Sequence, residues 1–231
     1  MPQESILSGS RRLEVGKSLY EFYTWEWAGV NPDNGLPQWY ANDPVDPTKT
    51  IVVNSIANAR RSYQGSALPK VTGGFSNNFA YKSFDLSFIL NYAFGGKILD
   101  ADYISMMHGF SSLGGTLHKD ILNRWQKPGD ITDVPRLKFG QSDYGNASTR
   151  HLFSGDYIRL RNVTLGYTVP ERALRSQNVV KNARIFIQAD NYFTWTKELI
   201  SGADPEQSIS GTTSQSSSAF KTISVGLNVG F

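Results

Sequence analysis

The chain contains no cysteine, which excludes both a disulfide framework and a thiolate metal site. It also lacks long hydrophobic runs: no window approaches the ~18 to 20 apolar residues that a membrane-spanning helix needs. A helical membrane protein is thereby excluded. A membrane β-barrel is not, because its strands alternate and never raise the local mean hydropathy. Charge of one sign is scarce too. The formal net charge is +3 with no Lys/Arg run, so a nucleic-acid partner has no electrostatic footprint here. The densest basic spots, Arg11-Arg12 and Arg60-Arg61, read as loop charges. Met1 to Arg12 has no apolar core segment and no small-residue cleavage site, so no signal peptide is visible. If the protein is exported, the chain is expected to be incomplete at its N-terminus.

Chemical motifs are equally sparse. His108, His118 and His151 lie far apart, without metal-ligand spacing, and read as loop or solvated side chains. No G-x-S-x-G elbow, P-loop or G-x-G-x-x-G turn occurs. No catalytic residue, resident metal or cofactor is expected, and the chain does not read as an enzyme. Asn31-Pro32-Asp33-Asn34-Gly35 lacks the alternating acids and distal Glu of a calcium loop and reads as a turn closed by Asn-Gly. Asp204-Pro205-Glu206 and Asp43 to Asp46 read as solvated loop acids, with a surface Ca²⁺ site as the alternative.

What is present is alternation. Aromatics make up 13% of the chain and glycine supplies 21 residues, a balance that favours strands and turns. At the end of the chain Ile223, Val225, Leu227, Val229 and Phe231 alternate with Ser224, Gly226, Asn228 and Gly230. That is a period of two running to the last residue. Phe84, Leu86, Phe88, Leu90, Tyr92 and Phe94 alternate with Asp85, Ser87, Ile89, Asn91, Ala93 and Gly95. Before them Val71, Phe75, Phe79 and Tyr81 share a face, and Lys82-Ser83 is short enough for a tight hairpin. Val163, Leu165, Tyr167 and Val169 form a further run, stopped by Pro170. Ile185, Ile187, Ala189 and Phe193 form another, with Asn191 as an exception on the apolar side. Leu19, Tyr23, Trp25 and Trp27 make a sixth, more aromatic candidate, with Trp25 and Trp27 facing lipid or the interface.

Parity changes once within a run. Ile158 and Leu160 are even, whereas Val163 to Val169 are odd. Either a bulge intervenes, or this stretch rises into the lipid head-group zone, where Arg159 and Arg161 meet phosphates. The second reading is favoured by a small margin. Between strands the connections are unequal. If Phe231 ends in the periplasm, Lys82-Ser83 and Pro170 to Asn182 are inner turns. Gly95 to Asp156 and Thr196 to Ala219 are then outer loops, the usual barrel asymmetry. Short helices are expected near Asp100 to Met107 and Leu117 to Trp125, the second broken by Lys127-Pro128-Gly129-Asp130. Ser201 to Ser218 is Ser/Thr/Gly-rich and reads as mobile.

Several stretches also resemble a known family. "LEVGKSLYEFYTWEWAGVNPDNGLPQWY" (Leu13 to Tyr40), "LPKVTGGFSNNFAYKSFDLSFILNYAFGGKILD" (Leu68 to Asp100), "HKDILNRW" with "TDVPRL" (His118 to Leu137), "SGDYIRLRNVTLGYTVP" (Ser154 to Pro170), "NARIFIQADNYFTWTK" with "GADPE", and "ISVGLNVGF" are similar, in order, to the late-barrel segments of SusC/RagA-type TonB-dependent proteins. The resemblance implies an all-β fold: an antiparallel transmembrane β-barrel of which 1–231 supplies the C-terminal strands, with long extracellular loops carrying short helices. Plug domain, signal peptide and early strands are absent from it. It further implies the outer membrane of a Gram-negative bacterium and import of a nutrient, a glycan or oligosaccharide first and a peptide second. The implied partners are a SusD-like surface lipoprotein, the TonB complex acting through the missing plug, the barrel-assembly machinery and outer-membrane lipid. Phe231, with Ile223, Val225, Leu227 and Val229, would form the strand that the assembly machinery reads. Sugar rings stack on flat aromatic faces, so Trp39, Tyr40, Trp125 and Trp195 are candidate ligand contacts, with girdle or loop packing as the alternative. Two other functions remain open: a soluble secreted β-sandwich that binds glycans, and a passive porin-like barrel.

Overall fold

A computed structural model describes residues 5–108, 114–140, 145–175, 179–198, 202–206, 208–214 and 218–231. In chain order the strands are β1 (Ser5–Ser8), β2 (Arg11–Glu14), β3 (Glu21–Trp25), β4 (Trp27–Val30), β5 (Pro37–Asn42), β6 (Thr50–Val53) and β7 (Arg61–Ser66). After them come β8 (Val71–Tyr81), β9 (Phe84–Phe94), β10 (Lys97–Leu99), helix α1 (Ala101–Met106), β11 (Leu152–Ser154) and β12 (Tyr157–Thr168). Helix α2 (Glu171–Leu174), β13 (Asn182–Thr196) and β14 (Thr222–Gly230) complete the series. Among the described residues no helix is long and apolar enough to cross a membrane.

The chain divides into two compact units. One comprises 69–95, 156–197 and 217–231 and is a five-stranded antiparallel sheet in the order β14-β13-β12-β9-β8. Lys82 and Ser83 alone join β8 to β9, closing the pair Tyr81↔Phe84. Lys82 takes φ +54° there, the left-handed conformation that so short a reversal demands. These strands, of 9 to 15 residues, match the runs read from the sequence. They form an open sheet, not a closed barrel.

The parity change has its explanation here. Register with β9 passes from Leu160↔Leu90 to Asn162↔Ile89, so β12 carries one extra residue, Arg161. Register with β13 passes from Leu160↔Phe193 to Asn162↔Asp190, so Asn191 and Tyr192 of β13 oppose that single residue. Asn191 sits at φ +51°, the left-handed region that Asn tolerates better than most residues. The bulge corrects the head-group reading. It returns Ile158, Leu160, Val163, Leu165 and Tyr167 to one face, opposite Arg159. The apolar-side Asn191 is accounted for by the same irregularity.

The second unit comprises 1–68, 96–155 and 198–216. It holds three small sheets, β1-β2-β3-β7, β4-β5-β6 and β10-β11. Leu19 to Trp27 does not form one strand, because the run breaks at Glu26 into β3 and β4, which enter different sheets. Nor are the basic pairs loop charges: Arg11 and Arg12 lie in β2 and Arg61 opens β7. Asn31 to Gly35 forms the expected turn, with Gly35 N donating to Asn31 O at 2.8 Å and Gly35 at φ +70°. Helix α1 starts where expected, its first turn capped by the Asp100 carboxylate accepting from Tyr103 N. A 3-10 turn at Lys119–Asn123 stands where the second helix was expected. Residues 201, 207 and 215–217 of the Ser/Thr/Gly tract lie outside the described residues.

Two apolar clusters hold this unit together. Tyr103, Met107, Ile121 and Val134 pack with Leu117, Leu137 and Phe153, while Phe22, Ala67 and Leu99 pack with Tyr20, Ile104 and Leu152. The segment around Gly211 is fastened to the second cluster. Leu99 N donates to Gly211 O, Thr213 N donates to Leu99 O, and Thr213 Oγ1 donates to the buried Asp100 carboxylate at 3.1 Å. A Cβ on Gly211 would collide with Ala67 and with the Lys97 carbonyl, so only glycine permits this approach.

Candidate functional site

The five-stranded sheet separates its two faces. Register places Val71, Phe75, Phe79 and Tyr81 of β8 beside Phe84 to Phe94 (even positions) of β9. The same face continues through Ile185, Ile187, Phe193 and Trp195 of β13 to Ile223, Val225, Leu227 and Val229 of β14. It carries no charged side chain, and nearly all of these groups are exposed. Phe193 and Trp195 stack at one end with centroids 5.8 Å apart, and Phe84 and Tyr167 meet at the other at 4.9 Å. The face thus has aromatic pairs at both ends, an aliphatic middle on β12 to β14, and Phe75 against Phe88 in the middle of β8 and β9.

The opposite face is polar and internally bonded. Asp85 and Arg184 form a two-point pair at 3.0 and 2.5 Å, reaching from β9 to β13 across the intervening β12. They meet over Gly166, where any Cβ would collide with both. Asn162 Nδ2 donates to Asp190 at 2.7 Å, and Gln188 Nε2 donates to the same carboxylate at 2.9 and 3.1 Å. Arg159 is buried on this face and donates to Thr194 Oγ1 at 3.1 Å. Arg161, in the bulge, donates to Asn191 Oδ1 at 3.3 Å. Register keeps Arg159 off the apolar side.

The four candidate ligand aromatics are not brought together. Trp39 is 1% exposed and takes the Trp27 ring edge-on at 5.5 Å. Tyr40, next on β5, has its side chain on the other face and is exposed. Trp125 covers Gly35 and donates from Nε1 to Pro32 O at 2.9 Å. Trp195 is on the apolar face of the five-stranded sheet. Trp25 and Trp27, read as lipid-facing, have polar company instead. Arg61 lies 3.5 Å over the Trp25 ring, while Trp27 Nε1 donates to Asp133 at 2.6 Å and its ring lies under Arg150.

The histidine reading also needs correction. His151 is 1% exposed, with Nδ1 3.4 Å from Ser148 Oγ. Burial first, and the neighbouring Arg150 charge second, push its pKa down to about 3. Arg150 is itself lowered by burial. His118 caps the 3-10 turn by accepting from Asp120 N and packs against Tyr103. The Tyr103 hydroxyl is pushed up, by burial and then by its hydrogen bond to Asp120. Sequence reasoning missed this buried group because a His flanked by Thr149-Arg150 and Leu152 has no periodic signature. Among the described residues no group of three or more His, Cys, Asp or Glu could hold a metal ion.

No family model matches the chain. Curated relatives from Formosa agariphila do. TonB-dependent receptor P3 is 28% identical over 95% of this chain and 23% of its own length. TonB-dependent receptor P26 is 25% identical over 99% of this chain and 24% of its own. Among solved structures, the RagAB peptide importer in its closed-closed state superposes with a TM-score of 0.76, at 25% identity over 99% of this chain and 25% of that one. A second RagAB peptide transporter structure gives 0.78 at 26% identity. The chain is similar along nearly its whole length to TonB-dependent receptors. It spans about a quarter of the length of the receptors it matches. TonB-dependent receptors reside in the outer membrane of Gram-negative bacteria and are not enzymes. For a TonB-dependent receptor the two faces described above have an immediate meaning. The apolar one suits hydrocarbon and the polar one suits a water-filled interior.

Proposed function

We propose that this chain supplies C-terminal wall strands and outer loops of a TonB-dependent importer, whose whole barrel carries a nutrient across the outer membrane. The observation that carries the reading is the segregation of the five-stranded sheet into an uncharged, exposed apolar face and a bonded polar one. Monomeric soluble proteins seldom expose contiguous apolar patches beyond a few hundred Å². A sandwich module would need a second sheet over that face. A hydrocarbon layer needs strands of ~9 to 11 tilted residues, and β8 and β9 have 11 each. In this arrangement Lys82-Ser83 is a periplasmic turn and 96–155 an outer loop carrying α1.

The importer's partners would be a SusD-like surface lipoprotein over the outer loops and TonB acting on a plug domain that 1–231 does not include. The cargo would be an oligosaccharide or an oligopeptide; likeness to a peptide importer supports the second. Of the candidate aromatics, Tyr40 offers the accessible ring for such a ligand. Trp195 reads better as part of the aromatic border. Phe231 would close the strand read by the assembly machinery. Deleting Phe231 from the full-length receptor is expected to lower its heat-modifiable, outer-membrane form severalfold. Unchanged surface abundance would remove the assignment of β14 as the assembly strand. Recovery of the receptor as a soluble protein without detergent would favour the secreted binding module.

A further inference from the structure

The sheet β1-β2-β3-β7 carries a face that import by the barrel does not use. Register Leu7↔Arg12 and Ser5↔Glu14 puts Leu7, Arg12 and Glu14 on one side of the β1-β2 hairpin. Tyr23↔Tyr63 and Trp25↔Arg61 are cross-strand pairs between β3 and β7. Their side chains form a continuous series. Arg12 lies 5.4 Å over the Tyr23 ring, Tyr23 meets Tyr63 edge-on at 5.0 Å, and Lys17 Nζ lies 4.9 Å over Tyr63. Arg61 stacks on Trp25 at 3.5 Å. Three cations therefore interleave with three aromatic rings.

Charge on this face is not balanced. Against its three cations stand two carboxylates. Glu14, already engaged, accepts from the Tyr63 hydroxyl at 2.6 Å and pairs with Arg12 Nε at 3.3 Å. Glu21, two residues before Tyr23 on the same side of β3, acts on the Tyr63 hydroxyl. Arg61 donates to Gly9 O at 3.3 Å. Neither Arg61 nor Lys17 has a carboxylate partner among the described residues. A guanidinium lying flat on an indole still presents N–H groups at its edge, the arrangement by which arginine grips phosphate. Leu7, opposite Arg12, is 60% exposed, and Val15, in the turn that follows β2, is 96% exposed. Cations, aromatic rings and bare aliphatic groups together are the composition of a water–lipid boundary. A site for a free, soluble phosphate has no use for the aliphatic groups.

We propose that this face docks the phosphate of an anionic membrane lipid. Lys17 and Arg61 meet the head group, Arg12 flanks it, and Leu7 and Val15 lie against the first part of the acyl chains. The inference rests on the outer-membrane reading above. It relocates the phosphate contact expected for Arg159 and Arg161 to cations whose rings and neighbours suit it.

The test uses the full-length receptor, purified in detergent and stripped of lipid. It is titrated with phosphatidylglycerol, and bound lipid is counted by native mass spectrometry. Phosphatidylcholine and inorganic phosphate are run in parallel. Phosphatidylglycerol is expected to bind, and to weaken about fivefold for each cation removed in Lys17→Gln, Arg61→Gln and their double variant. Lys49→Gln, which breaks a pair with Asp46 away from this face, should change nothing. Equal binding by the double variant and the unmodified receptor overturns the proposal. So does inorganic phosphate binding as tightly as the lipid, or phosphatidylcholine binding as well as phosphatidylglycerol. Heat-modifiable migration checks the fold of each variant. If Arg61→Gln does not fold, Lys17→Gln carries the test, since that side chain is exposed in a turn. A receptor absent from the outer membrane would count against the transport reading. A folded, membrane-resident receptor with unaltered lipid binding counts against this inference alone.

Discussion

His151 is the residue at which folding and proton binding are most tightly linked. The unfolded chain takes up its proton near the ordinary value of 6.5, the folded chain only near 3. Between those values the unfolded state binds more protons, so stability falls as pH falls through that window and is level above it. Local opening around Tyr103 and His151 should increase by up to about tenfold per pH unit within the window. Hydrogen exchange on the intact receptor, corrected for intrinsic rates, would measure this. His151→Gln should flatten the dependence, and a slope surviving that change would point to another group. Gly166 is a second sensitive position. Gly166→Val pushes a side chain between Asp85 and Arg184 and should cost about 1 to 3 kcal/mol, as overpacking does. The temperature of the heat-modifiable transition would report the loss, and Asp85→Ala in the same background should recover part of it. Neither role is written locally. Alternation marked Gly166 as belonging to the polar face, but the ion pair above it joins residues 99 apart in sequence, which no local pattern encodes.

At the scale of the strand, the sequence was most legible where one face is uniformly apolar. Phe84 to Phe94 and Ile223 to Phe231 declare their faces because the side-chain period of a strand is two and every other residue except Ile89 is small or polar. Leu19 to Trp27 misled for the same reason: it is rich in strand formers, yet Glu26 bonds to Arg60 and Ser62 at the break between β3 and β4. The parity change in β12 was visible, but a bulge and a rise into the head-group zone give the same string. Only pairing with β9 and β13 separates them. That pairing predicts an asymmetry between deletions. Removing Arg161 leaves Ile158, Leu160, Val163 and Leu165 on one face. Removing Thr164 throws the residues on one of its sides onto the wrong face. The receptor lacking Arg161 should reach the outer membrane within about twofold of the normal level, whereas the receptor lacking Thr164 should be nearly absent. Quantitative immunoblotting of outer-membrane fractions would compare them, and equal levels of both would refute the register described.

For the whole molecule, the open sheet sets a limit on what 1–231 can do alone. The outer edges of β8 and β14 have no partner strand among the described residues, and unpaired backbone groups in hydrocarbon cost several kcal/mol each. The isolated segment should therefore fail to insert as a stable monomer. A protease-resistant, heat-modifiable monomer recovered from membranes would contradict this. Across the bulge β9 advances by one residue, β12 by two and β13 by three. A crystal into which extra half-rows have been inserted contains a dislocation, and it bends the lattice around it. Exchanging one kind of atom for another does not heal such a defect; only removing the surplus row does. By the same logic the bend of this wall is stored in the number of residues each strand contains, and related sequences can replace the side chains there wholesale while inheriting the same curvature.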